Sequence, residues 1–162
     1  VAGQLNSPIA DLEGRITAVL EDNRALQKQV AQMQEKMARL QFESLKTQAV
    51  DVQGVSVLAA QVDGVDVDGL RQIADWFRDV VDEGTAVLAT VKNDKPVLIA
   101  AVTKNLIPRG VKAGDLVRVV AKMVGGGGGG RPDMAQAGGR DASKLPEALG
   151  AVAGLVEKAL SG

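Results

Sequence analysis

Apolar residues recur every seven positions through the first third of the chain. The a positions of this heptad are Ile9, Ile16, Asn23, Val30, Met37 and Ser44, and the d positions are Leu12, Val19, Leu26, Met33, Leu40 and Thr47. The repeat contains no proline and predicts one helix of about 40 residues, roughly 60 Å long at ~1.5 Å per residue. A globular domain of this size cannot cover so long an apolar stripe, so the stripe needs a partner helix.

We therefore expect residues 1–50 to be a coiled-coil dimerisation segment, with a homodimer formed through residues 9–47. The alternative is that the helix packs against other parts of a longer chain. The predicted dimerisation residues are Ile9, Leu12, Ile16, Val19, Leu26, Val30, Met33, Met37 and Leu40.

The charges beside the stripe bear on the orientation of the two helices. An antiparallel pair would place Arg15 opposite Glu43 of the second copy and Asp22 opposite Lys36, and both contacts join opposite charges. Asn23 favours the other arrangement, because asparagine at an a position is typical of parallel pairs. Exposed ion pairs contribute only ~0.2–1 kcal/mol each, so parallel and antiparallel pairing both remain open.

Residues 51–162 predict a separate globular domain, because the apolar period changes after the helix. Alternating strands and helices over this length indicate an α/β sandwich with one small mixed sheet. Asp68 and Ser143 are predicted helix caps, and Trp76 and Phe77 are predicted core residues. The expected strands are 55–62, 85–91 and 96–102, and the expected helices are 67–82, 114–124 and 143–160.

Composition excludes several kinds of chemistry. The chain has 162 residues without histidine or cysteine, so the usual zinc sites, disulfides, thiol nucleophiles and Ser-His-Asp triads are absent. Three aromatic residues cannot build a base-stacking platform. No apolar run reaches the ~18 residues of a membrane span, and we expect no membrane association. The sequence begins with Val1 rather than methionine, from which we expect a fragment of a longer chain.

Charge is unevenly distributed although the net charge is −1. Residues 51–103 carry four basic and nine acidic side chains, a net of −5, whereas residues 104–162 carry nine basic and five acidic ones, a net of +4. A local positive surplus in the last third suggests an anionic partner, against the simpler reading of chance clustering on a mixed surface.

Six consecutive glycines, Gly125 to Gly130, precede Arg131 and lie between two predicted helices of the same domain. A flexible linker is the simple reading, but linkers join domains and this run lies inside one. We expect instead a glycine loop whose backbone N–H groups approach a phosphate directly, as in an anion-binding nest. Arg131 and Arg140 flank it and suit bidentate contact with phosphate. No Gly-Lys-Ser/Thr follows, so the run is not a Walker loop.

The segment GGGGGGRPDMAQAGG, residues 125–139, resembles the signature of the C-terminal domain of bacterial alanyl-tRNA synthetase. The order of predicted elements and the segment VTKNLIPRGVKAGDLV, residues 102–117, are also similar to that family, so the resemblance covers essentially the whole chain. A related module ends the DHH-type phosphoesterases, where a histidine follows the glycines. This chain has Arg131 there, which favours the synthetase family over a phosphoesterase.

The resemblance implies a non-catalytic, cytoplasmic domain that binds the elbow of alanine-accepting tRNA and helps the upstream catalytic and editing domains act on the same tRNA. It implies no cofactor and no metal. Two alternatives stay open: a purely structural dimerisation domain, and an accessory domain that binds a phosphate end in a phosphoesterase. The tRNA-binding candidates are Gly126, Gly127, Gly128, Gly129, Gly130, Arg131, Asp133, Gln136, Gly138, Gly139 and Arg140, with Lys104, Arg109 and Lys122 as further basic candidates.

Overall fold

A computed structural model describes the backbone of residues 2–162 and the side chains of residues 10–162. The chain divides into two compact units, residues 1–36 and 37–162. The predicted division of roles between residues 1–50 and 51–162 stays a prediction. No helix in the described part of the chain is both long enough and apolar enough to cross a bilayer.

Five α-helices and six strands make up the described chain, with 3₁₀ turns at Lys46–Gln48, Lys104–Leu106 and Ala142–Lys144. The helices are α1 Ala2–Leu45, α2 Val67–Val80, α3 Ala113–Met123, α4 Leu145–Gly150 and α5 Val152–Ser161. The strands are β1 Val50–Val52, β2 Val55–Gln61, β3 Gly84–Lys92, β4 Lys95–Val102, β5 Gly127–Gly130 and β6 Met134–Gly138.

The strands form one mixed sheet in the order β1-β2-β3-β4-β6-β5. β2 and β3 run parallel, which requires a crossover, and α2 supplies it. The other neighbouring pairs of the described sheet are antiparallel. The long N-terminal helix followed by an α/β sandwich with one mixed sheet, as the sequence predicts, is confirmed.

Two apolar cores lie on the two faces of this sheet, because successive strand residues point to opposite faces. Val87 and Leu98 face a core that includes buried residues of α3, α4 and α5. Leu88 and Ile99 face the second core, which α2 covers together with the last turns of α1. The arrangement is therefore a three-layer α/β/α sandwich.

The last turns of α1 belong to the globular unit. Ala38, Phe42 and Leu45 are buried in its second core. The Phe42 ring lies 5.8 Å from that of Trp76, and the Arg39 guanidinium lies 5.0 Å from the Trp76 ring. Phe77 is fully buried and Trp76 half-buried, so the predicted aromatic pair is part of the core rather than a ligand cage.

Two details of the predicted helices are wrong. Asp66 rather than Asp68 caps α2, since its carboxylate accepts the hydrogen bond from the Gly69 N–H at 2.8 Å. The single helix expected over residues 143–160 begins as a 3₁₀ turn capped by Asp141, which accepts from the Ser143 N–H, and then divides into α4 and α5. Ser143, expected to cap the helix, therefore lies inside the 3₁₀ turn that precedes it.

The glycine run is a strand and not the expected loop. Gly127–Gly130 forms β5 at the edge of the sheet and pairs with β6, so that Gly128 lies opposite Ala137. A Cβ added at Gly126, Gly128 or Gly130 would come within 1.8, 2.4 and 2.8 Å of the backbone that follows the turn. These glycines are needed because two backbones approach more closely than any side chain allows. At Gly127 the position of a Cβ meets nothing within 4 Å.

This alternation predicts unequal effects on stability for neighbouring substitutions. Gly128→Ala should lower the free energy of unfolding by about 1–3 kcal/mol, because the new methyl group forces β5 away from β6. Gly127→Ala should change it by less than about 1 kcal/mol, since its methyl group enters open space. Urea unfolding of both variants, followed by circular dichroism, measures the difference. Equal destabilisation by the two substitutions would contradict the observed close approach.

Candidate functional site

Three arginines face the glycine strand in a cleft between α2 and the β5–β6 hairpin. We call it the arginine cleft; its volume is about 450 Å³. Its floor is the backbone of Gly129 and Gly130, which carries no side chains. The residues that line it are Arg71, Asp75, Arg78, Ile99, Gly129, Gly130, Arg131, Met134, Ala135 and Gln136.

The arginine side chains are held in place by polar partners. Arg71 Nη2 donates to Gln136 Oε1 at 2.7 Å, and Arg78 Nη1 donates to the Asp133 carbonyl at 3.2 Å. The Asp133 carboxylate lies between two guanidinium groups, 3.7 Å from Arg78 Nη1 and 3.5 Å from Arg131 Nε. Asp133 therefore contacts two of the three arginines of the cleft.

Arg78 is largely neutralised within the protein, whereas Arg131 is not. Arg78 also pairs with Asp75, and only 23% of its side chain is exposed. Arg131 is 80% exposed at the hairpin turn, beyond the last glycine. Arg71 is exposed too, and its recorded partner is an uncharged amide. Arg71 and Arg131 are thus the cations that this cleft offers to an anion.

A second cleft, of about 570 Å³, lies at the other end of the glycine strand, and we call it the glycine cleft. It is lined by glycine backbone and by two exposed basic residues, Lys95 and Arg140. The lining glycines are Gly125, Gly126, Gly127, Gly138 and Gly139.

Several N–H groups of the expected nest already have hydrogen-bond partners within the protein. Gly125 and Gly126 donate to the carbonyls of Lys122 and Ala121 at the end of α3, at 3.1 and 2.8 Å. Gly139 donates to the Pro96 carbonyl at 2.8 Å, and Arg140 to Val124. These donors close the hairpin onto α3 and β4, so they are not available to a phosphate. What the glycines contribute is a surface without side chains.

The structure brings most of the predicted site residues to this hairpin, but not all. Lys122 lies in the last turn of α3, just before the glycines. Lys104 lines neither cleft; it lies in a depression with Asp79, Asp82 and Asp133 that shares Arg78 with the arginine cleft. Arg109 forms an ion pair with Glu83 and lines neither cleft.

Sequence reasoning missed Arg71, Arg78 and Lys95. Arg71 and Arg78 are separated by seven residues, and Asp75 lies between them, so all three share one face of α2. That spacing is the sequence signal that could have identified these arginines as a group. No sequence signal marks Lys95, because only the pairing of β4 with β6 brings it next to Gly138 and Gly139.

The chemistry that these side chains offer is anion binding. Guanidinium groups bind phosphate oxygens bidentately, and a bare backbone lets a bulky polymer approach them. Among the described side chains, no three carboxylates come together to hold a metal ion. The pKa of Asp141, beside Arg140, lies below its usual range chiefly because Ser143 donates a hydrogen bond to it, an arrangement that caps a turn.

Comparison with known proteins shows the family of the chain. Residues 54–158 match the DHHA1 domain family. The chain is 46% identical over 157 residues to an alanine–tRNA ligase of Dechloromonas aromatica, which covers 97% of this chain and 18% of that protein. It is 50% identical over 151 residues to an alanine–tRNA ligase of Delftia acidovorans, covering 93% of this chain and 17% of that protein. The chain thus spans less than a fifth of these relatives.

Solved structures give the same result. The C-Ala domain of Aquifex aeolicus alanyl-tRNA synthetase is 32% identical, with a TM-score of 0.61, covering 70% of this chain and 98% of that one. RecJ from Thermus thermophilus, 12% identical with a TM-score of 0.57, covers 78% of this chain and 18% of that one and shares the fold. The chain belongs to the DHHA1 domain family and, within it, to the C-Ala domains of alanyl-tRNA synthetases.

Proposed function

We propose that this chain binds alanine-accepting tRNA through the β5–β6 hairpin and self-associates through the apolar stripe of α1. The chain does no chemistry itself in this proposal. It holds the elbow of the tRNA while catalytic and editing domains of a parent synthetase in the cytoplasm act on the same molecule. The name of the relatives, alanine–tRNA ligase, supports the choice of RNA.

The observation that carries the tRNA proposal is the arginine cleft. Arg71 and Arg131 present two guanidinium groups beside a strand that has no side chains. Both have a polar partner before any ligand arrives, since Arg71 donates to Gln136 at 2.7 Å and Arg131 Nε lies 3.5 Å from the Asp133 carboxylate. A preorganised guanidinium loses less conformational entropy on binding, so more of its attraction for phosphate appears as affinity.

Two glycines of β5 support the same conclusion because the fold does not require them. A Cβ at Gly127 meets nothing within 4 Å, and one at Gly129 meets only Arg118 Nη2 at 4.0 Å. Glycine inside a strand weakens it, so such positions are typical of sites where a ligand or another backbone approaches closely. An RNA backbone passing over β5 accounts for both.

The mode of recognition follows from the aromatic residues. Phe42 and Phe77 are buried and Trp76 packs against Phe42, so the three aromatics are occupied within the globular unit. Stacking on unpaired bases is therefore replaced by contact with phosphates and by the shape of a folded RNA. The elbow of a tRNA presents such a shape, and its affinity for this surface should depend strongly on salt.

Self-association is proposed from the a and d residues of α1. In the single chain, more than half of the residue surface is exposed at each of Leu12, Val19, Leu26 and Met33. Ile9 is also proposed, but its side chain lies outside the described residues. In the globular unit, Met37 and Leu40 are 46% and 72% exposed, although their neighbours Ala38 and Phe42 are buried. These exposed apolar side chains lack cover within the described chain, and a second copy is the occupant that their heptad fits.

The first test is the affinity for tRNA. Arg71→Ala and Arg131→Ala should each weaken binding of alanine-accepting tRNA about tenfold at moderate salt, because each removes a charge-assisted contact with phosphate. Filter-binding titrations at several salt concentrations measure the affinity and its salt slope. Each lost phosphate contact should reduce that slope by roughly 0.7–0.9.

Lys158→Ala is the matched control, because Lys158 is an exposed lysine on α5 that lines neither cleft. A tRNA variant with a disrupted elbow should bind the wild type as weakly as the arginine variants bind normal tRNA. Unchanged affinity in both arginine variants would exclude the arginine cleft as the contact. Failure of the wild type to bind would favour the purely structural role.

The second test is oligomeric state. Leu26→Glu places a charge in the middle of the stripe and should convert the dimer to monomer at tens of micromolar, since burying an unpaired charge costs several kcal/mol. Ala25→Glu, at an outer c position one residue away, should leave the dimer intact. Sedimentation equilibrium measures both. A monomeric wild type at that concentration would contradict self-association.

A further inference from the structure

The glycine cleft differs in charge from the arginine cleft. Asp75, which lines the arginine cleft, and Asp133, which pairs with Arg78 and Arg131, offset part of the positive charge there, whereas no carboxylate lines the glycine cleft. Within residues 10–162, Lys95 and Arg140 take part in no ion pair. Two cations therefore share a concave surface, and nothing in the described chain neutralises them.

The β3–β4 hairpin adds a second, independent observation. Lys95 lies directly opposite Lys92, joined to it by the two-residue turn Asn93–Asp94, in which both residues have positive φ. Residues opposite each other in an antiparallel pair share one face, and like charges there are destabilising. Asp94, the acidic residue of this turn, forms no ion pair with either lysine in the described structure. An anion bound beside Lys95 would relieve this repulsion.

Asp141 is the nearest acidic residue in sequence to Arg140, and its carboxylate is already engaged. It accepts hydrogen bonds from the Ser143 N–H, at 3.0 Å, and from the Ser143 hydroxyl. The hydroxyl bond is the main reason that the Asp141 pKa lies below its usual range. Arg140 is exposed and remains available for an external anion.

The cleft also has room for a polymer. The N–H groups of Gly125, Gly126 and Gly139 are used in backbone hydrogen bonds, so binding depends chiefly on the two side chains. The missing side chain at Gly127 leaves open space over the strand. Gly127 and Gly129, one in each cleft, are two residues apart, which is roughly 7 Å along a strand. An RNA strand lying along β5 would reach both clefts.

We propose that Lys95 and Arg140 bind a backbone phosphate of RNA in the glycine cleft, at a second contact that is separate from the arginine cleft. This inference rests on the proposed tRNA-binding function. It divides the interface into two anion sites at opposite ends of β5 and makes Lys95 a binding residue. The glycine strand between them is then the spacer that sets their separation.

The test uses the whole chain and the salt dependence of tRNA binding. The Lys95→Ala/Arg140→Ala double variant should weaken binding about tenfold and lower the salt slope by roughly 0.7–0.9, as expected for one phosphate lost. When this double variant is combined with Arg71→Ala/Arg131→Ala, the two fold-losses in tRNA affinity should multiply, because contacts with separate phosphates contribute independently. Lys158→Ala should leave the affinity and the slope unchanged. Trp76 fluorescence during urea unfolding checks that each variant folds.

Two outcomes separate this inference from the proposed function. If the arginine-cleft variant loses affinity while the Lys95/Arg140 variant behaves like Lys158→Ala, the second contact is wrong and tRNA binding stands. If the wild type binds no tRNA, the proposed function fails, and inorganic phosphate then tests the glycine cleft by itself. Phosphate should shift the ¹⁵N–¹H resonances of Gly126, Gly127, Gly138 and Gly139 in the wild type and not in the double variant. The absence of such shifts would overturn the site.

Discussion

The close contact between the backbones of β5 and β6 determines where the residues of both clefts lie. At Gly128 even one methyl group would lie 2.4 Å from the Cα of Ala137. The partner strand is correspondingly small, with Ala135, Ala137 and Gly138 along it. On its other side β5 meets the beginning of α3, where a Cβ at Gly114 would lie 3.2 Å from the Gly130 carbonyl oxygen. Side chains at these positions would separate the strands and move both clefts.

This contact explains how one short hairpin presents cations at both ends. Arg131 follows the last residue of β5 directly, and Arg140 comes two residues after β6 ends. Each is therefore fixed relative to the sheet by an antiparallel ladder rather than by a mobile loop. The cost is low intrinsic stability, because glycine loses more conformational freedom on folding than any other residue. Hydrogen bonds from Gly126 to α3 and from Gly139 to β4 offset part of that cost.

The sequence predicted the elements whose signals are local. The β3–β4 hairpin follows from two apolar runs around Asn93–Asp94, and α2 follows from its apolar period. The glycine strand could not be predicted in this way, because glycine has poor strand propensity and carries no alternating pattern. Its conformation is imposed by the tertiary contact with β6. The same reason explains why Lys95 was missed, since its place in the site comes from a neighbouring strand distant in sequence.

The end of α1 carries a sequence signal that lies outside the a and d positions of the heptad. The outer f positions of the repeat are Gly14, Glu21, Lys28, Glu35 and Phe42. Charged or small residues there are compatible with water, but a phenylalanine is not, and Phe42 is 2% exposed in the globular core. The chain divides between residues 36 and 37, within one turn and a half of that change. In these last turns the helix carries two sets of apolar side chains, one buried in its own domain and one, Met37 and Leu40, exposed.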